Sequence, residues 1–326
     1  MTRYFDEVTG WGGDKWDRDV TGVAVDSHDR VYVLRRGDDA VGVLHADGTV
    51  LDSWGHECLS SRPHLISVGD DGKIYIADDG AHRVFVFGPT GRLLETIGSG
   101  VPSETGYDTK SPTPETALDG ITGGWPFNRP TKAVPWRNGE LFVSDGYGNC
   151  RVHRFSADRQ LLSSWGEPGS GAGCFVIPHS VAVDRQGRVL VCDRENDRIQ
   201  IFSCDGELLS VWDDVQRPTD IAFDRHGNVY VTELPRGPQD LKSWRLGRPE
   251  QELPGRVTIR SPDGAITAQL ICPGVEFPAP HAIAVDSTGA IYVSEIPESL
   301  ANYTGRPRRP HRCLRKFEPR APLAGW

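Results

Sequence analysis

The segment "PHSVAVDRQGRVLVCDRENDRIQIFSCDGELLSVW" (178–212) contains four short stretches in which apolar and polar or small residues alternate. Alternation with a period of two is typical of β-strands that bury one face. Turn sequences such as "DRQGR" and "SCDGE" separate the stretches, and turns of this composition commonly join antiparallel strands. The segment therefore predicts a small antiparallel sheet of four strands.

Related segments recur along the whole chain of 326 residues. Three precede this one, at 21–55, 63–98 and 130–166, and two follow it, beginning at positions 218 and 280. Their spacing averages roughly 50 residues, which is in the range of a propeller blade. Repeated four-stranded units predict an all-β fold, a six-bladed β-propeller in which neighbouring blades bury each other's faces.

The two ends of the chain predict how the propeller closes. The N-terminal sequence "FDEVTGWGG" resembles the blade endings "VLDSWG" and "LLSSWG", whereas the last unit stops at "RCLRKFEP" without such an ending. An N-terminal strand that completes the last blade would close the ring and remove exposed sheet edges. We therefore expect one propeller domain over 1–326. Two separate β-domains are the alternative, but no composition break between the units resembles a linker.

Insertions interrupt the repeats at about 99–128, 234–254 and 297–311. They are polar and rich in proline and glycine, so they do not extend the core. Long insertions often form loops over a binding face, and surface decoration is the alternative. The third insertion is rich in arginine and proline, so it can also bind an anionic group of a substrate.

Composition limits the class of partner and the compartment. The net charge of -9 argues against a nucleic-acid or anionic-membrane surface, and no apolar run has the length of a membrane span. The N-terminus lacks the apolar segment of a secretory signal peptide. Seven cysteines form no CxxC pair, which indicates reduced thiols. We expect a cytoplasmic protein with a small-molecule substrate, whereas nothing in the composition indicates an oligomeric state.

One column of the aligned repeats alternates between threonine and histidine. Its members are Thr21, His64, Thr131, His179, Thr219 and His281. The first strand of each blade lines the central channel, so equivalent positions converge on the axis. Three histidines on alternate blades predict a three-histidine metal site that leaves one position open. For any one of these histidines, a channel-lining side chain satisfied by water is the alternative. Zinc suits this ligand set best, while iron, manganese and copper stay open.

A second column of the aligned repeats lies at the end of the second strand of each blade. It contains Arg35, Asp78, Asp145, Asp193, Glu233 and Glu295. Arg36, Tyr147 and Arg194 lie just after this column, at the expected mouth of the channel. Tyr147 and Arg194 have no equivalents in the other blades, so a scaffold role explains them less well, and a tyrosine beside a metal can serve as a general base.

Other members of the same region are predicted to be structural. Arg83, Arg151 and Arg198 each directly precede an outer strand, and we expect each to pair with the acidic residue of its own blade. Asp145 and Asp193 are accordingly expected to stabilise the fold.

With these residues assembled, the chain resembles NHL-repeat proteins of the peptidyl-α-hydroxyglycine α-amidating lyase family. The resemblance covers most of the repeats. It is most specific over "DGYGNCRVHRFSADRQLLSSWGEPGSGAGCFVIPHSVAVDRQGRVLVCDRENDRIQIF" (145–202). It implies a six-bladed propeller with a catalytic zinc, and it places the zinc ligands on His64, His179 and His281.

The resemblance also implies roles for the residues at the mouth. The tyrosine of the family's "DGY" motif falls on Tyr147, the arginine of "DRENxR" on Arg194 and that of the "RGD" segment on Arg36. The implied reaction is cleavage of a hemiaminal C–N bond to an amide and an aldehyde. Tyr147 would take the hydroxyl proton, Arg36 would stabilise the tyrosinate and orient the carbinol, and Arg194 would hold a carboxylate or carbonyl.

The chain departs from the family at three positions. Ala282 stands where the family has the aspartate of a structural calcium site, so calcium is not expected. Ala279 replaces a methionine near the third zinc histidine, which predicts a different pocket shape. Gly148 replaces a cysteine after the tyrosine, so the family's disulfide is not expected.

Two other functions remain open from the sequence. A metal-dependent hydrolase, or another lyase, could act on a small amide or natural-product intermediate at the same site. A non-catalytic NHL scaffold for a protein partner would need no histidine column and would usually present a basic or aromatic surface patch. Trp54 and Trp165 recur at blade ends and are predicted to be core residues.

Overall fold

The computed structural model describes residues 3–320, apart from 14, 15, 17, 38, 56, 109, 111–119, 239, 241–244, 272, 273, 275 and 306–311. Cys272, His56 and His311 therefore lie outside the described residues. The fold is a six-bladed β-propeller, as the sequence predicts. The first strand of each blade contacts the first strand of the next, and the ring closes between the last blade and the first.

Strands of the first half of the ring follow the chain from the channel outwards. Blade 1 contains β2 (Val20–Val25), β3 (Val31–Arg35), β4 (Val41–Leu44) and β5 (Val50–Trp54). Blade 2 contains β6 (Pro63–Val68), β7 (Ile74–Asp78), β8 (Arg83–Phe87) and β9 (Leu93–Ile97). Blade 3 contains β10 (Lys132–Pro135), β11 (Leu141–Asp145), β12 (Arg151–Phe155) and β13 (Leu161–Trp165).

The second half has the same order, with one strand borrowed from the N-terminus. Blade 4 contains β14 (Pro178–Val183), β15 (Val189–Asp193), β16 (Arg198–Phe202) and β17 (Leu208–Trp212). Blade 5 contains β18 (Pro218–Phe223), β19 (Val229–Glu233), β20 (Arg256–Arg260) and β21 (Ile266–Ile271). Blade 6 contains β22 (Pro280–Val285), β23 (Ile291–Glu295), β24 (Leu314–Pro319) and β1 (Arg3–Glu7).

The N-terminal strand closes the ring, as the chain ends predict. β1 pairs antiparallel with β24 and also pairs in parallel with β21 of blade 5. Blades 5 and 6 thereby form one eight-stranded sheet. The strand connects the beginning of the chain to its last blade and covers an edge that would otherwise be exposed.

Helical structure in the described part is short. Two 3-10 turns span Arg137–Gly139 and Arg194–Asn196, and helix α1 spans Pro297–Thr304 within the third insertion. None of the described helices has the length and apolar character required to cross a bilayer. Helix α1 is placed by Asp19 of blade 1, whose carboxylate accepts hydrogen bonds from the backbone N–H groups of Glu298 and Ser299 at 2.9 and 2.7 Å.

Tryptophans at the blade ends pack on glycine turns of the next blade. A Cβ atom added at Gly91 would lie 2.4 Å from the Trp54 ring, and one added at Gly206 would lie 2.8 Å from the Trp165 ring. Both glycines also have a left-handed backbone, with φ of +78° and +89°, which disfavours side chains at these positions. Trp54 is buried and Trp165 is partly buried, and both pack with core residues.

A buried ion pair crosses the channel one residue along from the histidine–threonine column. Lys132 Nζ in blade 3 donates to Asp220 Oδ1 in blade 5 at 2.5 Å. Ser180 Oγ in blade 4 donates to the same oxygen at 2.7 Å, and the Ile283 backbone N–H in blade 6 approaches Asp220 Oδ2 at 3.3 Å. Ala282, the residue in place of the family's calcium ligand, belongs to the same level of the channel. The Lys132 ammonium group therefore lies at this level of the channel.

Candidate metal centre and substrate pocket

The histidine–threonine column becomes a ring of hydrogen bonds around the channel, and all of its side chains are buried. Each histidine Nδ1 donates to a threonine carbonyl of the next blade: His64 to Thr131 at 2.8 Å, His179 to Thr219 at 2.8 Å and His281 to Thr21 at 2.7 Å. Each threonine Oγ1 donates to the carbonyl of the next proline: Thr21 to Pro63 at 3.3 Å, Thr131 to Pro178 at 3.0 Å and Thr219 to Pro280 at 3.2 Å.

This ring determines the tautomer of the three histidines. A carbonyl oxygen only accepts hydrogen bonds, so each Nδ1 carries the proton and each Nε2 keeps a lone pair. The imidazole centroids lie 4.7 Å apart for His64 and His179, 5.0 Å for His64 and His281, and 4.8 Å for His179 and His281. One ligand atom of each histidine lies within 4.8 Å of the others. The triad can hold a metal ion, and imidazoles oriented by a second hydrogen bond are a common donor set for zinc.

The three histidines are neutral. Burial lowers the pKa of His64, His179 and His281 well below the ordinary histidine value. The positive charge of Arg194 lowers the pKa of each of them further, and Arg36 does the same at His64 and His281. Neutral imidazole is the form that binds a metal ion.

Tyr147 lies directly against the triad. Its O–H donates to His64 Nε2 at 3.0 Å and lies 3.3 Å from His179 Nε2. Its ring packs edge-on against both imidazoles, with centroid distances of 5.0 and 5.8 Å. Arg194 Nη1 donates to the same phenolic oxygen at 3.4 Å. The structure thus places Tyr147 and Arg194 beside the three histidines.

Hydrogen bonds between strand ends place these two side chains at the channel mouth. The Tyr147 backbone N–H donates to the Arg129 carbonyl at 3.4 Å, and that of Arg194 donates to the Ile177 carbonyl at 3.1 Å. The chain leaving the second strand of a blade is therefore tied to the chain entering the first strand. Residues just past the second strand consequently face the opening.

A cavity of ≈ 420 Å³ opens at this mouth, and His281, Tyr147, Arg194 and Arg36 are among the residues that line it. Each insertion contributes to its wall. The inserted residues are Tyr107 from the first, Leu234 from the second, and Ser299, Leu300 and Asn302 from the third.

Arg36 lines the pocket together with Tyr147 and is held by helix α1. Its Nη1 donates to Ser299 Oγ of helix α1 at 2.8 Å. Its Nε is buried and has no hydrogen-bond partner in the described part of the chain. Nor does any hydrogen bond or ring contact join Arg36 to Tyr147 among those residues. Ala279, at the position of the family's methionine, is buried with Leu234 and Leu300, so a small side chain there leaves room for helix α1.

Asp145 and Asp193 have structural partners, as the sequence indicates. Asp145 Oδ2 accepts the backbone N–H of Asn128 at 2.8 Å, and Asp193 Oδ1 accepts that of Val176 at 2.8 Å. Each aspartate thus holds the segment that enters the first strand of its own blade.

The expected pairing of arginines with this acidic column holds for Arg198 and is wrong for Arg83 and Arg151. Arg198 Nε donates to Asp193 Oδ2 at 2.7 Å. The side chains of Asp78 and Asp145 already accept hydrogen bonds from other groups of their own blades, such as the Ser60 hydroxyl and the Asn149 amide. The other two arginines donate elsewhere: Arg83 to the Ser99 carbonyl, and Arg151 to Ser164 and Glu167.

Three further arginines line the pocket: Arg62, Arg129 and Arg217. They were not among the site residues predicted from the sequence. They share a register, because each lies two residues before a member of the histidine–threonine column and directly before a proline. Ile177 occupies the same register in blade 4 and also lines the pocket. The alignment that located the histidines would have located these residues two positions upstream.

Comparison with known proteins agrees with this architecture. The NHL repeat family model matches residues 61–87 and 175–202. NHL repeat-containing protein 3 of Mus musculus is 31% identical over 294 residues, which cover 84% of this chain and 76% of that protein.

The chain belongs to the NHL-repeat family.

The NHL-repeat protein is also similar to an enzyme. Peptidyl-alpha-hydroxyglycine alpha-amidating lyase 1 of Drosophila melanogaster is 29% identical over 269 residues. The match covers 77% of this chain and 46% of that lyase, so the chain spans about half of it. Among solved structures, a streptogramin B lyase has a TM-score of 0.58 at 13% identity. That match covers 98% of this chain and 99% of the lyase chain. This last likeness shows the fold alone.

Proposed function

We propose that this NHL-repeat protein is a zinc-dependent carbon–nitrogen lyase. Its substrate would be a small N-(α-hydroxyalkyl)amide, and its products an amide and an aldehyde. The observation that carries the proposal is the position of Tyr147, whose phenolic oxygen lies within hydrogen-bond distance of two imidazole Nε2 atoms and of Arg194. The similarity to amidating lyases supports the same reaction.

His64, His179 and His281 would hold the zinc ion. Their donor set fits, because three neutral imidazoles present one ligand nitrogen each within 4.8 Å of the others, and the threonine carbonyls fix their orientation. When bound, zinc supplies Lewis acidity toward the substrate's hydroxyl group.

Tyr147 would move the proton. In its phenolate form it accepts the hydroxyl proton of the substrate while the O–H electron pair becomes the second bond of the aldehyde carbonyl. The C–N bond breaks, its electron pair goes to the amide nitrogen, and the phenol of Tyr147 returns the proton to that nitrogen. The reaction is therefore balanced without any further reactant.

Arg194 and Arg36 would bind and orient the substrate. Arg194 donates to the phenolic oxygen and still faces the pocket with a planar fork suited to a carboxylate. Arg36 lies toward helix α1. From there its role is to hold an oxygen of the substrate rather than to stabilise the tyrosinate by direct contact.

We also propose that the protein works in a reducing compartment such as the cytoplasm. Six cysteines in the described part of the chain are free thiols: Cys58, Cys150, Cys174, Cys192, Cys204 and Cys313. Extracellular proteins more often join such residues in disulfides.

A Tyr147→Phe variant tests the proposed base. The aromatic ring that packs on His64 and His179 is kept, whereas the acid–base group is lost. We expect the release of aldehyde from an N-acyl-α-hydroxyglycine to fall by about 10²–10⁴-fold, with zinc content unchanged. The readouts are aldehyde formation and metal analysis of the same preparation.

Wild-type turnover in Tyr147→Phe would contradict the role of Tyr147. A zinc-loaded wild-type protein that cleaves no hemiaminal but hydrolyses a small amide would favour the metal-dependent hydrolase instead. A protein with neither activity and no metal would favour a binding scaffold.

A further inference from the structure

The pocket has an excess of positive charge. Among the described residues, five arginines line it, Arg36, Arg62, Arg129, Arg194 and Arg217, and none of the described lining residues is acidic. This is notable in a chain with a net charge of -9, because the fold concentrates cationic groups where a ligand would bind.

Buried carboxylates behind the wall neutralise only part of this charge. Asp79 pairs with both Arg62 and Arg129 at 2.7 and 3.2 Å. Glu195 pairs with both Arg194 and Arg217 at 2.8 and 3.1 Å. Each carboxylate is thus shared between two guanidiniums of the pocket, and Arg36 has no carboxylate partner in the described part of the chain.

Two of the additional arginines, Arg129 and Arg217, have an unusual backbone conformation at the pocket wall. Arg129, Ile177 and Arg217 have φ of 67°, 62° and 33°, in the left-handed region that non-glycine residues rarely occupy. Such positions are strained and cluster at binding and catalytic sites. All three lie at the pocket wall. Arg217 is 1% exposed, and its Nε has no partner among the described residues.

Two groups of arginines flank the reacting tyrosine. The Arg129 Cζ atom lies 5.3 Å from the centre of the Tyr147 ring, and the Arg194 Cζ atom lies 5.6 Å from it. Arg129 also donates to the Tyr107 hydroxyl at 2.9 Å, so the first insertion helps to hold it. A small molecule beside Tyr147 is therefore within reach of both groups.

From this arrangement we infer that the pocket binds a substrate with two anionic groups, one held near Arg194 and Arg36 and the second near Arg62 and Arg129. The inference rests on the proposed function, because it specifies the substrate class of that reaction. A single carboxylate would leave most of the excess charge uncompensated, whereas a dicarboxylate or a comparable dianion would complete the pairing.

Binding without turnover tests the inference. N-acetyl-L-glutamate, which carries two carboxylates, and N-acetylglycine, which carries one, are titrated by calorimetry into the zinc-loaded wild-type protein. We expect the dianion to bind at least about tenfold more tightly, the increment of one additional charge-assisted contact. An Arg62→Gln variant should reduce the affinity for the dianion to that for the monoanion, and Arg62→Lys should restore part of the difference.

Arg92→Gln is the matched control, since it removes one positive charge from an exposed turn outside the pocket. It should bind both probes as the wild type does. Equal affinity of the wild type for the two probes, or an unchanged preference in a folded Arg62→Gln variant, would overturn the inference.

The outcome is separable from that of the proposed lyase activity. A dianion preference with no hemiaminal cleavage would contradict the proposed reaction but would still support a ligand with two anionic groups. Cleavage of monoanionic hemiaminals with no preference for dianions would contradict only the second anion subsite.

Discussion

At the scale of single residues, the candidate metal centre depends on hydrogen bonds that orient each histidine. Every Nδ1 is committed to a threonine carbonyl of the neighbouring blade, so the Nε2 lone pairs are available at the axis. The histidines were predictable from the sequence because equivalent positions of the repeats lie at the same level around the central channel. Their hydrogen-bond acceptors are backbone carbonyls of the same column, and the threonine hydroxyls donate to the carbonyls of the prolines that directly precede the histidines.

The role of the arginines that precede the first strands was harder to predict from the sequence. Arg129 and Arg217 face the pocket from left-handed backbone positions. Arginine before proline usually has extended backbone, so the sequence gives no indication of that geometry. The sharing of Asp79 and Glu195 between several guanidiniums depends on contacts between different blades, which the repeat pattern does not specify.

Glu195 offers a test of pH-dependent stability at this scale. Burial alone would raise its pKa, but Arg217, Arg194 and Arg236 lower the pKa of Glu195 to about 2. A carboxylate with a lowered folded-state pKa stabilises the fold above its unfolded pKa, and the contribution is lost as the pH falls from about 4.5 to about 2. The contribution is on the order of 3 kcal/mol.

We therefore expect Glu195→Gln to lower the free energy of unfolding markedly at pH 7 and much less at pH 3. Urea denaturation at the two pH values measures the difference, with Glu207→Gln on an exposed turn as the control. A destabilisation of Glu195→Gln that is equal at both pH values would contradict the account.

At the scale of elements, the blades are joined by tryptophan–glycine contacts. The strands and their order were predictable because alternating patterns and turn residues repeat in every unit. The sequence also indicated that Trp54 and Trp165 are core residues. It did not show that each packs on a glycine turn of the following blade, because the two partners are far apart in the chain.

Gly91→Ala tests this contact, and Gly72→Ala is a matched control in the same blade. Both glycines have a left-handed backbone, with φ of +78° and +73°, but only at Gly91 would the added Cβ meet the Trp54 ring, at 2.4 Å. Nothing lies within 4 Å of a Cβ at Gly72. We expect Gly91→Ala to reduce the free energy of unfolding by about 1–3 kcal/mol more than Gly72→Ala. An equal loss of unfolding free energy in the two variants would show that the tryptophan contact does not stabilise the fold.

At the scale of the whole molecule, the ring is closed by β1 and braced across its channel. The closure of blade 6 was predictable from the incomplete ending of the last unit. The parallel pairing of β1 with β21 was not, because β1 reaches the neighbouring blade only through the geometry of the closed ring. The cross-channel pair of Lys132 and Asp220 was likewise not evident, because the register one position after the histidine–threonine column shows no alternation of residue types that would mark it.

Lys132→Met tests the contribution of this pair to the ring. The substitution leaves the Asp220 carboxylate without its ammonium partner, and loss of one member of a buried ion pair typically costs about 3–5 kcal/mol. The double variant Lys132→Met/Asp220→Asn removes both charges and should recover part of the lost stability. Denaturant unfolding of the three proteins measures this. A Lys132→Met variant as stable as the wild type would contradict a bracing role.

The central claim is that three blades converge to hold one metal ion for catalysis. Metal analysis of the purified protein, comparing the wild type with His179→Ala, tests it most directly. Thermal unfolding of the variant serves to verify that the ring is intact. We predict about one zinc per wild-type chain and loss of that zinc in the folded His179→Ala variant. A wild-type protein that binds no metal from zinc-containing medium, or a His179→Ala variant that retains it fully, would contradict the account.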